Sequence, residues 1–335
     1  MAADYQKIIS EISKKKYSPV YLLCGEEPYY IDLISDYIEE NILSEEEREF
    51  NQVVLYGRDV DAEKVVENAK RFPMMSPYQV ILVKEAQDMK TIDDLSTYAD
   101  KPLNSTILVL CYKHKKYDKR KSLYKVVDKK GVFFESSRLY QEKIPGWITE
   151  YVSASGYNIG PKAALLLGDF LGTDLSKVAN ELSKLFILLP KGSTISEDII
   201  EKNIGISKDY NVFEFQEALA SRNIEKANRI VKYFNANPKE NPLVKIIPIT
   251  FSFFSKVLIC STLSDKSQSS VASALGIAPF MTKDYTKAVN NYSYEKLTSV
   301  ISTLREFDLK SKGVDVSTSI IAGDLLKELV FRILH

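Results

Sequence analysis

The residues best spaced for chemistry in this sequence are Gly25-Glu26-Glu27-Pro28-Tyr29-Tyr30-Ile31-Asp32, directly after the apolar run Val20–Cys24. A strand, then G-x-x-x-x-G-K-[ST], then a helix is the frame of a phosphate-binding loop. Backbone N–H groups and the helix N-terminus cradle the phosphates there, the lysine neutralises them, and the hydroxyl holds magnesium. Only the first glycine survives here, as Gly25; Tyr30 stands at the second glycine, Ile31 at the lysine and Asp32 at the hydroxyl. Tyr30 carries a Cβ where close backbone approach wants none, and Ile31 supplies no charge. Glu26 and Glu27 bring two negative charges to where a polyanion would sit, at a cost of about 1 kcal/mol per contact in water and more in a drier cleft. The run Val80–Val83 leads into Lys84-Glu85, so a lysine takes the place of a metal-binding aspartate. No G-x-G-x-x-G is present, which leaves a dinucleotide site without support. Two readings stand: a phosphate loop that has lost its function, or a parallel sheet never built for phosphate.

Other chemistry is sparse. Two histidines, His114 and the terminal His335, and three scattered cysteines, Cys24, Cys111 and Cys260, give no catalytic triad, no metal spacing and no disulfide pattern. Neither a catalytic residue, nor a metal, nor a cofactor is expected. Lys113, Lys115, Lys116, Lys119, Arg120 and Lys121 place six cations within nine residues, interleaved with Tyr112 and Tyr117. They read either as a phosphate-tracking patch facing DNA or as a solvated turn before a helix with Asp118 as its N-cap. Glu45–Glu47 reads as an exposed turn, and Trp147, near Pro145-Gly146, as a packing anchor.

A different feature lies at Arg71-Phe72-Pro73-Met74-Met75-Ser76-Pro77. Residues before proline are pushed out of the helical region, so this stretch forms a rigid corner. Adjacent side chains cannot both point inward on a regular element, so at least one methionine is presented outward. Methionine is soft and adaptable enough to fill a partner's apolar pocket. The alternative is that Phe72 and both methionines fold back as a plug under the core.

The elements that must position these residues fall into two kinds. The first 140 residues alternate β-rich runs (Val20–Cys24, Gln52–Tyr56, Val80–Val83, Thr106–Cys111, Val132–Glu135) with segments of helical spacing such as Ile31, Ile34, Tyr37, Ile38 and Ile42. That order predicts βαβ units on a mostly parallel sheet. After Glu135 the strand signals stop. Four helices are predicted between Gln141 and Asn203, then a linker over Gly205–Tyr210, then seven more helices from Val212 to Leu334, the last over Thr318–Leu334. The expected divisions are 1–140, 141–207 and 208–335. Forty-five basic residues balance forty-five acidic ones, which argues against a dedicated polyanion binder. The most apolar stretch, Ile246–Cys260, is broken by Pro248 and Lys256 and is shorter than the roughly 20 residues of a bilayer span. With a polar N-terminus as well, the expectation is a cytoplasmic protein with reduced thiols and no membrane.

Several segments in order carry a resemblance. Val20–Gly25 with Glu27, then Phe72-Pro73-Met74-Met75-Ser76 leading into Gln79–Val83, then Asp118-Lys119-Arg120-Lys121-Ser122-Leu123-Tyr124-Lys125, resemble the delta subunit of the bacterial DNA polymerase III clamp loader. So do Asn211–Ala227, with Phe213, Ala218 and Leu219, and Asp308-Leu309-Lys310-Ser311-Lys312-Gly313. The resemblance implies an AAA+-like domain without a functional P-loop over 1–140, a small helical lid over 141–207 and a helical collar over 208–335. It implies that Met74 and Met75, with Phe72 and Pro73 shaping the corner, bind the sliding clamp (beta subunit), where other members often carry Leu or Phe. Motor and delta-prime-type subunits would join through the collar, ATP would be hydrolysed by those motors, and primed DNA would be met by the assembled complex. The whole assembly would carry DNA-directed DNA polymerase (nucleotidyltransferase) activity, with no catalytic site in this chain. Readings of another class are a nucleotide-dependent switch or enzyme with a nonstandard phosphate loop, and a DNA-binding scaffold led by Lys113–Lys121.

Overall fold

Five apolar runs become the strands β1 (Val20–Gly25), β2 (Gln52–Tyr56), β3 (Gln79–Lys84), β4 (Thr106–Lys113) and β5 (Val132–Ser136) of one sheet. In this computed structural model, which describes residues 2–207, 209–314 and 322–335, the strand order is β2-β3-β4-β1-β5 and every pairing is parallel. Parallel neighbours need long crossovers, and helices supply them. Helix α1 (Ala2–Ser13) precedes β1, α2 (Tyr29–Asn41) and α3 (Glu45–Asn51) lead to β2, and α4 (Ala62–Ala69) leads to β3. Helix α5 (Ser96–Asp100) and short 3-10 turns lead to β4, and α6 (Ser122–Lys130) leads to β5. β1 is buried along its whole length, β3 and β4 over all but their last residues, as expected of strands covered on both faces. One face packs Leu22, Ile81, Val83, Leu108 and Leu110 against Val65, Ala69, Leu95, Leu123 and Val127.

Helices α7 (Ile144–Ala154), α8 (Pro161–Leu171) and α9 (Leu175–Leu188) follow, with Pro161 opening α8 and the Asp174 side chain capping α9. Strand structure does not end at β5. β6 (Asn158–Ile159) and β7 (Thr194–Ile195) form a two-stranded sheet, each too short to leave an alternating pattern in the sequence.

The chain divides into two compact units, 1–194 and 195–335. The second holds α10 (Glu197–Ile204), α11 (Val212–Ala220), α12 (Ile224–Ala236), α13 (Leu243–Thr262), α14 (Gln268–Leu275), α15 (Thr282–Asn291), α16 (Tyr294–Ser311) and α17 (Ala322–Leu334). The expected start of the last helix at Thr318 lies outside the described residues. Helix α13 has 20 residues and is long and apolar enough to cross a bilayer, because it continues through Pro248 and Lys256 and past both ends of the expected Ile246–Cys260 stretch. Its Ile246, Ile247, Phe253, Phe254, Val257 and Cys260 nevertheless sit in the core of this unit with Phe215, Phe234 and Phe307, as in a bundle's central helix.

Gly25 ends β1 at φ +145°, and a Cβ there would lie 1.8 Å from the Ser136 carbonyl oxygen. Both the backbone conformation and the contact exclude a side chain. Gly25→Ala should therefore lower unfolding stability by about 3 kcal/mol or more, measured as a fall in the urea midpoint.

Candidate functional site

The loop that carries the phosphate-binding outline runs from Gly25 to Pro28, and α2 begins at Tyr29. Gly25 is needed here for the close approach to Ser136 at the end of β5. Two residues on, Glu27 is buried. Glu27 Oε1 accepts the N–H of Tyr29 at 3.0 Å, so a backbone donor at the start of α2 is already taken by the chain's own carboxylate. Burial pushes the Glu27 carboxyl above the usual range, although the Tyr29 N–H and Arg138 oppose it.

The positions that depart from the phosphate-binding pattern are used within the fold. Tyr30 is buried and its hydroxyl accepts the Trp147 indole N–H at 2.7 Å. Trp147 also meets Tyr29 edge-on and stacks on Tyr151, so it ties α7 to the start of α2. Ile31 is fully buried. Asp32 Oδ1 lies 2.6 Å from Lys113 Nζ, which also reaches Glu85 at 3.4 Å. Lys84, in the place of an expected metal-binding aspartate, pairs with Glu39 at 2.9 Å. Among the described residues no three His, Cys, Asp or Glu side chains form a metal cluster.

The basic run is less basic than its composition. Besides Lys113, Lys116 reaches Glu26 at 3.9 Å, Lys119 pairs with Glu135 and Arg120 with Asp118. Lys121 lies 5.6 Å over the Tyr117 ring, and Lys115 forms a backbone bridge to Gly25. Tyr117 is buried against Tyr112 rather than offered for stacking on a base. Asp118 is not the N-cap of α6, because it turns back on the Arg120 N–H and guanidinium. Asp93, far away in sequence, instead accepts the Leu123 N–H in the first turn of α6 at 3.0 Å.

The methionine corner lies between α4 and β3, at the N-terminal end of the strands. The degenerate loop follows β1 at their C-terminal end. In a parallel sheet these ends are opposite, roughly 20 Å apart for six-residue strands. Phe72, Met74 and Met75 are 77%, 62% and 102% exposed, which rules out the core plug; Pro73 is half-buried. The corner is pinned from both sides. Buried Asn51 accepts the Met74 N–H at 2.6 Å and donates to the Met74 carbonyl at 2.9 Å and to the Glu47 carbonyl at 3.0 Å. Buried Gln79 donates to the Arg71 carbonyl at 2.5 Å and to Thr106 Oγ1 at 2.8 Å. Met75 has φ +55°, a left-handed conformation that costs a β-carbon residue about 1–2 kcal/mol.

Phe50 and Asn51 were not singled out from the sequence, and Glu45–Glu47 is not a plain turn. It is the first turn of α3, closed by a capping box in which Ser44 N–H donates to Glu47 Oε2 at 2.8 Å and Glu47 N–H to Ser44 Oγ at 3.3 Å. The Ser44-x-x-Glu47 spacing was the available signal.

Comparison with known proteins bears on both ends of the chain. The family model for the DNA polymerase III delta subunit matches residues 21–137, and that for the C-terminal domain of the delta subunit matches residues 209–327. The DNA polymerase III subunit delta of Bacillus subtilis is 24% identical over 333 residues, covering 96% of this chain and 95% of its own. The solved structure of the B. subtilis DNA clamp loader delta protein superposes with a TM-score of 0.55 at 22% identity, covering 98% of this chain and 99% of that one. The RuvB Holliday junction branch migration motor of Thermotoga maritima matches with a TM-score of 0.36 at 12% identity, over 86% of this chain and 87% of that one.

Two outcomes follow from the filled loop. Glu27 holds its proton more tightly folded than unfolded, so its contribution to stability falls as pH rises from about 4 through its raised folded value. Glu27→Gln keeps the acceptor for Tyr29 and removes that loss; the melting temperature of the variant relative to the parent should rise between pH 4 and pH 7. Titration of the chain with a fluorescent ATP analogue and magnesium should give no saturable binding in the micromolar range.

Proposed function

Because this chain belongs to the DNA polymerase III delta subunit family, we propose that it is the clamp-loader subunit that docks on the sliding clamp and holds its ring open. The observation that carries this reading is the corner Phe72-Pro73-Met74-Met75, apolar, exposed and pinned to the AAA+-like sheet domain rather than absorbed into it. Two adjacent methionines presented on a stiff corner suit an apolar pocket on a partner. Each contributes roughly 1.5–3 kcal/mol on burial, and pre-ordering of the backbone lowers the entropy lost on docking. Opening needs no chemistry in this subunit. It need only bind the open ring better than the closed one.

In this reading residues 1–140 form the clamp-binding domain, 141–207 the lid and 208–335 the collar that joins motor and delta-prime-type subunits. ATP is bound and hydrolysed by those motors, and primed DNA is met by the whole complex in the cytoplasm. The filled phosphate loop supports an absence of nucleotide chemistry here, since Glu27, Tyr30 and Asp32 are all engaged within the fold. Paired cations at Lys113, Lys116, Lys119 and Arg120 weaken the case for a DNA scaffold, which would require a steep salt dependence of DNA binding by the chain alone.

The test is capture of the sliding clamp of the same organism by the full chain. Met74→Ala combined with Met75→Ala should weaken binding by at least ~100-fold and leave unfolding stability within about 0.5 kcal/mol. Undiminished capture would refute the reading, and a large fall in melting temperature would show the methionines to be structural.

A further inference from the structure

Resting on that reading, we infer that the docking surface extends onto α3, with Phe50 as a third apolar contact, Glu46 and Glu47 as an acidic rim for a basic-edged cleft on the clamp, and Asn51 as the residue that positions Met74. Phe50, Met74, Met75, Glu46 and Glu47 line one open depression of about 330 Å³. Phe50 is 67% exposed although the next residue, Asn51, is buried. A single exposed aromatic ring is ordinary, but a ring beside two exposed methionines is a contiguous apolar patch of the kind that marks an interface.

Charge on this face sets what the edge of the clamp's cleft must offer. Helix α3 reads Glu-Glu-Glu-Arg-Glu-Phe-Asn, four carboxylates against one guanidinium. That guanidinium has donors engaged by the backbone carbonyls of Leu43 and Glu40. Both rim carboxyls lie below the usual range, Glu46 through backbone and Ser44 hydrogen bonds and Glu47 through the Ser44 backbone N–H and the Ser76 hydroxyl. They are therefore charged at neutral pH. An apolar patch with a negative rim fits a cleft with an apolar floor and lysine or arginine at its edge, and such pairing speeds encounter more than it deepens affinity.

Asn51 acts through the backbone. Its carboxamide pairs with both the N–H and the carbonyl of Met74, as a neighbouring strand would, and so sets where both methionines stand relative to Phe50.

Binding of immobilised sliding clamp by the full chain, followed in real time at several salt concentrations, tests this. Phe50→Ala should weaken binding roughly 10-fold or more with an unchanged melting temperature. Glu46→Lys should slow association and flatten or invert its salt dependence, whereas Met74→Ala with Met75→Ala should leave the salt dependence as it is and speed dissociation. Asn51→Ala should speed dissociation in the parent and have little further effect once both methionines are alanine, since a positioning role needs the groups it positions. Parent-like binding by Phe50→Ala and Glu46→Lys, with the methionine variant defective, overturns the extension alone. Parent-like binding by the methionine variant overturns the extension together with the function it rests on.

Discussion

The first unit is organised around a central strand whose end admits no side chain. β1 is paired on both sides, in register with β4 and β5 and buried from Val20 to Gly25. Gly25 lies so close to Ser136 that a β-carbon would overlap the carbonyl oxygen. The chain then leaves the sheet directly over the end of β5, where the Glu27 N–H meets the Ser136 carbonyl at 3.4 Å. A loop held this close has its inward groups bonded to the protein itself. Glu27 takes a donor at the start of α2, and Tyr30 takes the indole N–H of Trp147. The one glycine that matches a phosphate-binding pattern is thus required by strand packing alone.

A parallel sheet has two unlike ends, and this chain treats them differently. At the C-terminal ends of the strands, charged side chains are paired with one another: Asp32 with Lys113, Lys84 with Glu39 and Lys119 with Glu135. At the N-terminal ends, two buried carboxamides, Asn51 and Gln79, hold a backbone corner that faces solvent. Their bonds to the corner are made to main-chain groups, so they fix position without dictating which side chains the corner displays. That arrangement places no demand on the kind of apolar side chain displayed at Met74 and Met75. It also sustains the left-handed backbone of Met75, which a looser loop would relax.

The same local pairing explains why a neutral protein contains a strongly basic run without a strongly basic surface. Four of the six cations between Lys113 and Lys121 lie against carboxylates from β1's loop, α2, β5 or the run itself. Tyr117, which in the sequence looks available for stacking, is instead core, packed on Tyr112 with its hydroxyl 3.3 Å from Asp93. Composition counts charges; their field depends on what folds beside them.

Local pattern carried much of this architecture. The five strands, their alternation with helices, the helical remainder and the proline-bracketed corner at Phe72–Pro77 were all legible, because hydrophobic period and turn chemistry act over a few residues. The missing lysine of the phosphate pattern was legible for the same reason. The choice between an exposed corner and a core plug at Met74 and Met75 was not, since both satisfy the same local rules. Neither was Asn51, whose bonds to Met74 span 23 residues, nor the Trp147–Tyr30 bond, which spans 117. Side chains so far apart in sequence meet only when the sheet brings their elements together, and no periodicity records such a meeting. The sequence by itself determined which elements form and which functional atoms are absent; tertiary structure decided which polar groups satisfy one another, and so which apolar residues were left facing outward.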